Sequence, residues 1–118
     1  MAKLRYGSLI YAEVPDPAGR NPKRRPLLIV TPSDALETGR EIFCVAITSQ
    51  IPDPLTEDMI ELPWSRHCHP RTKLNRPLIA RCDWIEKITV TDDLTEIGYA
   101  TDSVIERIEH RLRQLDDK

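Results

Sequence analysis

Two short apolar runs restrict this chain more than any other feature: Leu27-Leu28-Ile29-Val30 and Ile42-Phe43-Cys44-Val45-Ala46-Ile47. Both are rich in β-branched side chains, long enough for core strands and too short for independent helices. Each carries polar groups at one end. Arg24-Arg25-Pro26 leads into the first run and Thr48-Ser49-Gln50 closes the second. Pro26 fixes its own φ and pushes Arg25 toward extended geometry, which presents the guanidinium at the mouth of a strand anchored in the core. If the two strands pair as a hairpin through residues 33–40, the start of one lies opposite the end of the other. Arg25 and Thr48 then meet at one end of a sheet and make a candidate anion site.

The remaining segments supply further strands and one helix. Tyr6 to Val14 reads as a strand internal to a sheet. Pro15 to Pro22 holds three prolines and Gly19 and reads as a long, stiffened hairpin loop carrying basic side chains. Pro32 to Arg40 is a connection with room for one helical turn, and the third strand spans about Glu41 to Ser49. Met59-Ile60-Glu61-Leu62 reads as an edge strand stopped by Pro63, and Trp64 to Asn75, polar and basic, as a second mobile loop. Leu78 to Ile88 resumes strand character, with Ile79, Arg81, Asp83 and Ile85 opposing Leu78, Ala80, Cys82 and Trp84. From 99 to 115 the period changes: Val104, Ile105, Ile108, Leu112 and Leu115 recur at helical spacing, with Glu106, Arg107, Glu109, Arg111 and Arg113 between them. Asp102, or Ser103 in a capping box with Glu106, is the expected N-cap. The expected fold is one mainly β or α+β domain over 1–118 with a C-terminal α-helix.

Composition bounds the function. A chain of 118 residues that is 40% hydrophobic and 31% charged has the balance of an ordinary globular domain. It has no apolar stretch of membrane-spanning length and no basic-then-apolar leader, so a cytoplasmic protein without a membrane partner is expected. Cys44, Cys68 and Cys82 form an odd set without CxxC spacing, as suits a reducing compartment. A net charge of -2 argues against a generic nucleic-acid binder. Distribution qualifies this: Arg20, Lys23, Arg24 and Arg25 form one acid-free stretch, and Arg66, His67, His69, Arg71 and Lys73 another. Together they make a basic strip on an acidic body, able to hold a few phosphates.

Several of these pieces, taken in order, resemble the MazF/PemK family of toxin endoribonucleases from bacterial toxin–antitoxin systems. They are Gly7-Ser8-Leu9-Ile10-Tyr11, the Pro15-to-Gly19 loop, Arg25-Pro26 heading an apolar strand, Ala46-Ile47-Thr48-Ser49-Gln50-Ile51, Ile60-Glu61-Leu62-Pro63, and Ile97-Gly98 before a helix. The resemblance covers nearly the whole chain and implies the small SH3-like β-barrel of the MazF/CcdB type. It further implies a homodimer that cleaves single-stranded RNA without a metal or other cofactor and is neutralised by a cognate antitoxin with a disordered acidic tail. The ribose 2′-OH would attack the adjacent phosphate, giving a cyclic phosphate and a 5′-OH product.

On that resemblance Arg25 and Thr48 match the family's catalytic arginine and threonine. A planar, always-protonated guanidinium suits a dianionic phosphorane, and a hydroxyl donates into the same site without adding charge. Arginine is a poor general base, so proton removal needs a second group or an arginine perturbed by a neighbour such as Arg24. The glutamate that many family members carry just after the loop glycine is absent from Gly19-Arg20-Asn21-Pro22. His67 and His69 are the candidate substitutes, histidine being the residue type suited to proton transfer near neutrality. Arg20, Lys23, Arg24, Ser49, Gln50, Trp64, Arg66, His67, His69, Arg71 and Lys73 are the expected RNA contacts. Trp84, mid-strand, is expected in the core. His67-Cys68-His69 lacks the paired spacing of a metal site. The rival expectations are a family member without catalysis acting as a binding module, and a CcdB-like topoisomerase poison. The second is disfavoured because Gln114 to Lys118 lacks the Trp-Gly-Ile tail of such poisons.

Overall fold

The computed structural model of the chain describes residues 4–31, 41–91 and 94–116. The connection at 32–40, and any helical turn in it, lies outside them. Six strands, β1 (Ser8–Val14), β2 (Lys23–Ile29), β3 (Glu41–Thr48), β4 (Met59–Glu61), β5 (Ile79–Thr89) and β6 (Gly98–Tyr99), are followed by helix α1 (Asp102–Asp116). They form one antiparallel sheet in the order β4-β5-β3-β2-β1-β6. The sheet curls into a half-barrel. No ladder joins β4 to β6 among the described residues, so the expected barrel is an open one.

The continuous apolar runs follow from burial on both faces, with Phe43, 51% exposed, the exception. Leu27, Leu28 and Ile29 are all fully buried, yet they alternate between two cores. Leu28, Val45, Ile47, Ala80 and Cys82 pack with Val104 and Ile108 of α1. Leu27, Ile29, Ile42, Cys44, Ala46 and Trp84 pack on the other face with Ile10 and Val14. Each such aliphatic contributes about 1.5–3 kcal/mol of burial free energy. The three that follow Pro26 therefore hold β2 firmly just inside Arg25.

β5 departs from simple alternation. Val45 faces Ile85 but Ala46 faces Arg81, so Cys82, Asp83 and Trp84 form a bulge opposite no residue of β3. Ala80 and Cys82 belong to the helix-side core, whereas Trp84 belongs to the opposite one. The single face expected for Leu78, Ala80, Cys82 and Trp84 is thus corrected, because a bulge re-aims the side chains beyond it.

Three other expectations change. The N-cap is Thr101: its carbonyl accepts the first helical bond from Ile105 N, and its Oγ1 accepts from Val104 N at 3.5 Å. Arg111, assigned to the polar side of the helix, is only 8% exposed. Its Nε donates to Asp58 at 2.7 Å and its Nη2 meets Glu57 at 3.1 Å, which ties α1 to the chain entering β4. The segment after Pro63 is no free loop. Thr72 is buried and donates to the Pro63 carbonyl at 2.8 Å, Leu74 is buried, and His69 Nδ1 accepts the backbone N–H groups of Arg71 and Thr72. β6, too short to carry a periodicity, was not legible; its Gly98 passes so close to this segment that a Cβ would collide with the Thr72 carbonyl.

Candidate nucleic-acid interface

Register assembles the site. Leu27 faces Ala46 in the β2–β3 ladder, and continuing that pairing by two residues puts Arg25 across from Thr48. Both then share the face of Leu27 and Ala46, away from the helix. Arg81, directly across from Ala46, joins them on that face, and the bulge turns Trp84 toward it as well. The result is an open cleft of about 1000 Å³ at this end of the sheet.

Its lining is cationic. Lys23, Arg24, Arg25, Arg76 and Arg81 contribute, Asp16 is the carboxylate among the described lining residues, and Thr48, Ser49, Gln50 and Trp84 complete the polar and aromatic wall. Arg81 is paired with Asp83 at 2.8 Å. Lys23, Arg24, Arg25 and Arg76 make no ion pair among the described residues. Such uncompensated charge in a concave site favours an anion.

Arg25 is held from three sides. Its Nε donates to the Val14 carbonyl and its Nη2 to the Asn21 carbonyl, both at 3.3 Å, and its Cζ lies 5.3 Å from the Trp84 ring centroid. Thr48 Oγ1 accepts the Gln50 N–H at 3.1 Å, which leaves its own proton free to donate into the cleft. Asp16 is occupied otherwise. It accepts the backbone N–H groups of Ala18 and Arg20 and the side-chain amide of Asn21. The Arg20 bond foremost, then those from Asn21 and Ala18 and the Arg25 charge, hold its carboxyl below the ordinary range. Asp16 thus shapes the loop after β1, in which Gly19 takes φ +79° and Asn21 φ 51°.

The structure brings Arg25, Thr48, Lys23, Arg24, Ser49 and Gln50 to one cleft, and leaves out Arg20, Trp64, Arg66, His67, His69, Arg71 and Lys73. Arg71 stacks on Tyr99 at 4.9 Å and lies 3.7 Å from Asp102. Trp64 is 46% exposed but outside the cleft, while Trp84, at 7%, is both core and cleft wall. Neither His67 nor His69 supplies a base beside Arg25. Among the described residues no group of three His, Cys, Asp or Glu side chains is placed to hold a metal ion. Arg76 and Arg81 were missed in the sequence. Arg81 did carry a signal, as a cation inside the otherwise apolar Ile79-Ala80-Arg81-Cys82.

Residues 5–115 match the family model described as PemK-like, MazF-like toxin of type II toxin–antitoxin system. The chain belongs to that family. No curated protein sequence matches it. Among solved structures it is similar to MazF from Deinococcus radiodurans, with a TM-score of 0.74 at 16% identity over 100% of both chains. It is also similar to an endoribonuclease in complex with its cognate antitoxin from a mycobacterial species, with a TM-score of 0.71 at 19% identity over 98% of this chain and 96% of that one. A third is the Mycobacterium tuberculosis toxin MazF-mt6, with a TM-score of 0.67 at 22% identity over 92% and 95%. These likenesses carry the fold. Among the described residues of this family member, no helix is long and apolar enough to cross a membrane.

Proposed function

We propose that the chain is the toxin of a toxin–antitoxin pair and acts as a metal-independent endoribonuclease on single-stranded RNA. The observation that carries this reading is the set of cations around Arg25 that have no ion pair among the described residues, beside a threonine whose Oγ1 accepts from Gln50 N–H and lines the same cleft. Arg25 and Thr48 would stabilise the charge that develops as the substrate's own 2′-OH attacks the neighbouring phosphorus. The P–O5′ bond breaks, leaving a 2′,3′-cyclic phosphate and a 5′-OH. Lys23, Arg24, Ser49 and Gln50 would hold flanking nucleotides, with Arg20 and the 64–73 segment as more distant contacts. By analogy with the antitoxin-bound relative, a cognate antitoxin with an acidic tail would compete for the cleft in a homodimeric cytoplasmic toxin.

One observation favours a second reading, a binding module without catalysis. Asp16, the carboxylate in the cleft lining, is already used by three N–H donors and is a poor proton acceptor. A single experiment separates the two. Purified protein is incubated with single-stranded RNA in excess chelator and the new ends are identified. Cyclic phosphate and 5′-OH ends, lost in Thr48→Ala, support the enzyme. Tight binding with intact RNA supports the module, and activity that requires an added metal ion refutes the proposed chemistry.

A further inference from the structure

Among the described residues, helix α1 contributes none to the cleft lining, yet it reaches the strand that does. Arg111, 8% exposed, donates from Nε to Asp58 Oδ1 at 2.7 Å and from Nη1 to Gln114 at 3.2 Å, while its Nη2 meets Glu57 at 3.1 Å. Asp58 in turn accepts Cys82 N at its backbone carbonyl, at 2.8 Å. Cys82 opens the β5 bulge, whose residues face nothing in β3, so the Asp58 carbonyl holds the bulge from the β4 side. Arg81, immediately before Cys82, and Trp84, two residues after it, both line the cleft, as does Met59 beside Asp58. One carboxylate thus stands between a buried helix cation and the bulge that aims the cleft wall.

We propose that Asp58, anchored by Arg111, is a positioning residue for the RNA cleft: it sets the β5 bulge and, through it, the aim of Arg81 and Trp84. This rests on the RNA reading above. A bulge leaves the ladder on its β3 side, so its backbone is fixed by whatever else it bonds. Here the acceptor belongs to the residue just before β4, which keeps its place because its side chain is held. The Arg111 bond is charge-assisted and largely shielded from water, which makes it short and directional. Without it the Asp58 carbonyl follows the chain entering β4, and a shift of about 1 Å at Arg81 spoils contacts made at hydrogen-bond distance. A buried ion pair adds little net stability, since apolar residues of similar volume fill the same space as well or better. The contribution of this pair is therefore geometric rather than energetic.

The test uses the full chain, first without RNA and then with it. Without RNA, amide exchange of Cys82 relative to Leu27 should rise about tenfold in Asp58→Asn. Glu57→Gln should leave it unchanged, because the Cys82 acceptor belongs to Asp58. With single-stranded RNA, cleavage per folded molecule at low substrate should fall about tenfold in Asp58→Asn, through a raised KM with kcat within about threefold. The decisive variant combines Asp58→Asn with Arg111→Met. It removes both charges at nearly constant volume, so its melting should return to that of the unsubstituted protein. If the pair only stabilised the fold, cleavage and Cys82 exchange would return with it; the positioning role requires both to stay where Asp58→Asn put them. The same double variant decides where Asp58→Asn alone does not fold. Recovery of cleavage and exchange in the double variant, an equal effect of Glu57→Gln, or a folded Asp58→Asn with unchanged exchange or unchanged cleavage overturns the positioning role. Faster Cys82 exchange in Asp58→Asn, with no RNA cleavage by the unsubstituted protein, overturns the RNA reading and leaves the hold of Asp58 on the bulge standing.

Discussion

The two basic segments look equivalent as sequence, and the fold treats them in opposite ways. Residues 23–25 open a strand whose residues 27–29 are fully buried, so their charges stand at a rigid edge above a cleft. Residues 66–73 form a compact turn held together by His69, Arg71 and Thr72, and its remaining cations, Arg66 and Lys73, are exposed outside the cleft. His69 Nδ1 accepts two backbone N–H groups, Thr72 is buried, and Arg71 bonds the Ala100 carbonyl and neighbours Asp102. Charge becomes a binding site when the backbone is secured by apolar neighbours and the charged group is left unpaired. Where the polar side chains themselves secure the backbone, little of their capacity remains for a ligand.

The largest effect should come from breaking this difference at its cationic end. Arg25→Ala is expected to slow RNA cleavage roughly 100- to 1000-fold, the usual cost of removing one preorganised donor to developing charge. Arg71→Ala should change it less than about threefold, since an exposed, partly paired cation contributes little. Cleavage rates at fixed salt, with melting curves for both variants, make the comparison. Equal losses would mean that the two segments act together on RNA and that the cleft boundary drawn here is wrong.

The 64–75 segment should instead fail through stability. Gly98→Ala drives a Cβ into the Thr72 carbonyl, a backbone contact that no rotamer change relieves. Overpacking of this kind costs about 3 kcal/mol. Denaturant unfolding should show that loss. In the fraction still folded, cleavage per molecule should stay near that of the unsubstituted protein, because Arg25 and Thr48 are positioned by other strands. A stable Gly98→Ala protein would show that the close approach is not a structural requirement.

Most of the strand plan was legible because continuous β-branched runs and prolines mark strands and their ends without reference to distant residues. The pairing of Arg25 with Thr48 was legible for the same reason, given one hairpin. What could not be read depends on long-range geometry. The bulge that sends Trp84 to the cleft leaves β5 looking regular in sequence. Arg111 is buried because Asp58, far away in the chain, reaches it, and nothing in the helical period marks that. The 64–75 segment read as a solvated loop because its anchors, Thr72 and His69, are polar residues whose partners are backbone groups. β6 is two residues long and is defined by its partner Ser8–Leu9 alone.

The smallest expected effect sharpens the comparison through pH. Asp16 holds the loop after β1 by accepting from Ala18, Arg20 and Asn21, and that loop's Asn21 carbonyl holds Arg25. Its folded pKa lies below the ordinary 3.8, first because of the Arg20 N–H. A carboxyl with a lowered folded pKa contributes stability that is fully present above its unfolded value and is lost as pH falls through the folded one. The loop should therefore keep its order at neutral pH and loosen in acid below about pH 4. Amide exchange of Ala18 and Arg20 should rise there while that of Leu27 and Leu28 does not. Asp16→Asn should remove this acid dependence and, by loosening the grip on Arg25, reduce RNA cleavage at neutral pH by about two- to fivefold. The turn at 66–73 has its acceptor in His69 and no carboxylate, so its amides should not respond to the substitution. An Asp16→Asn protein whose loop amides still open in acid would assign the hold on this loop to another group.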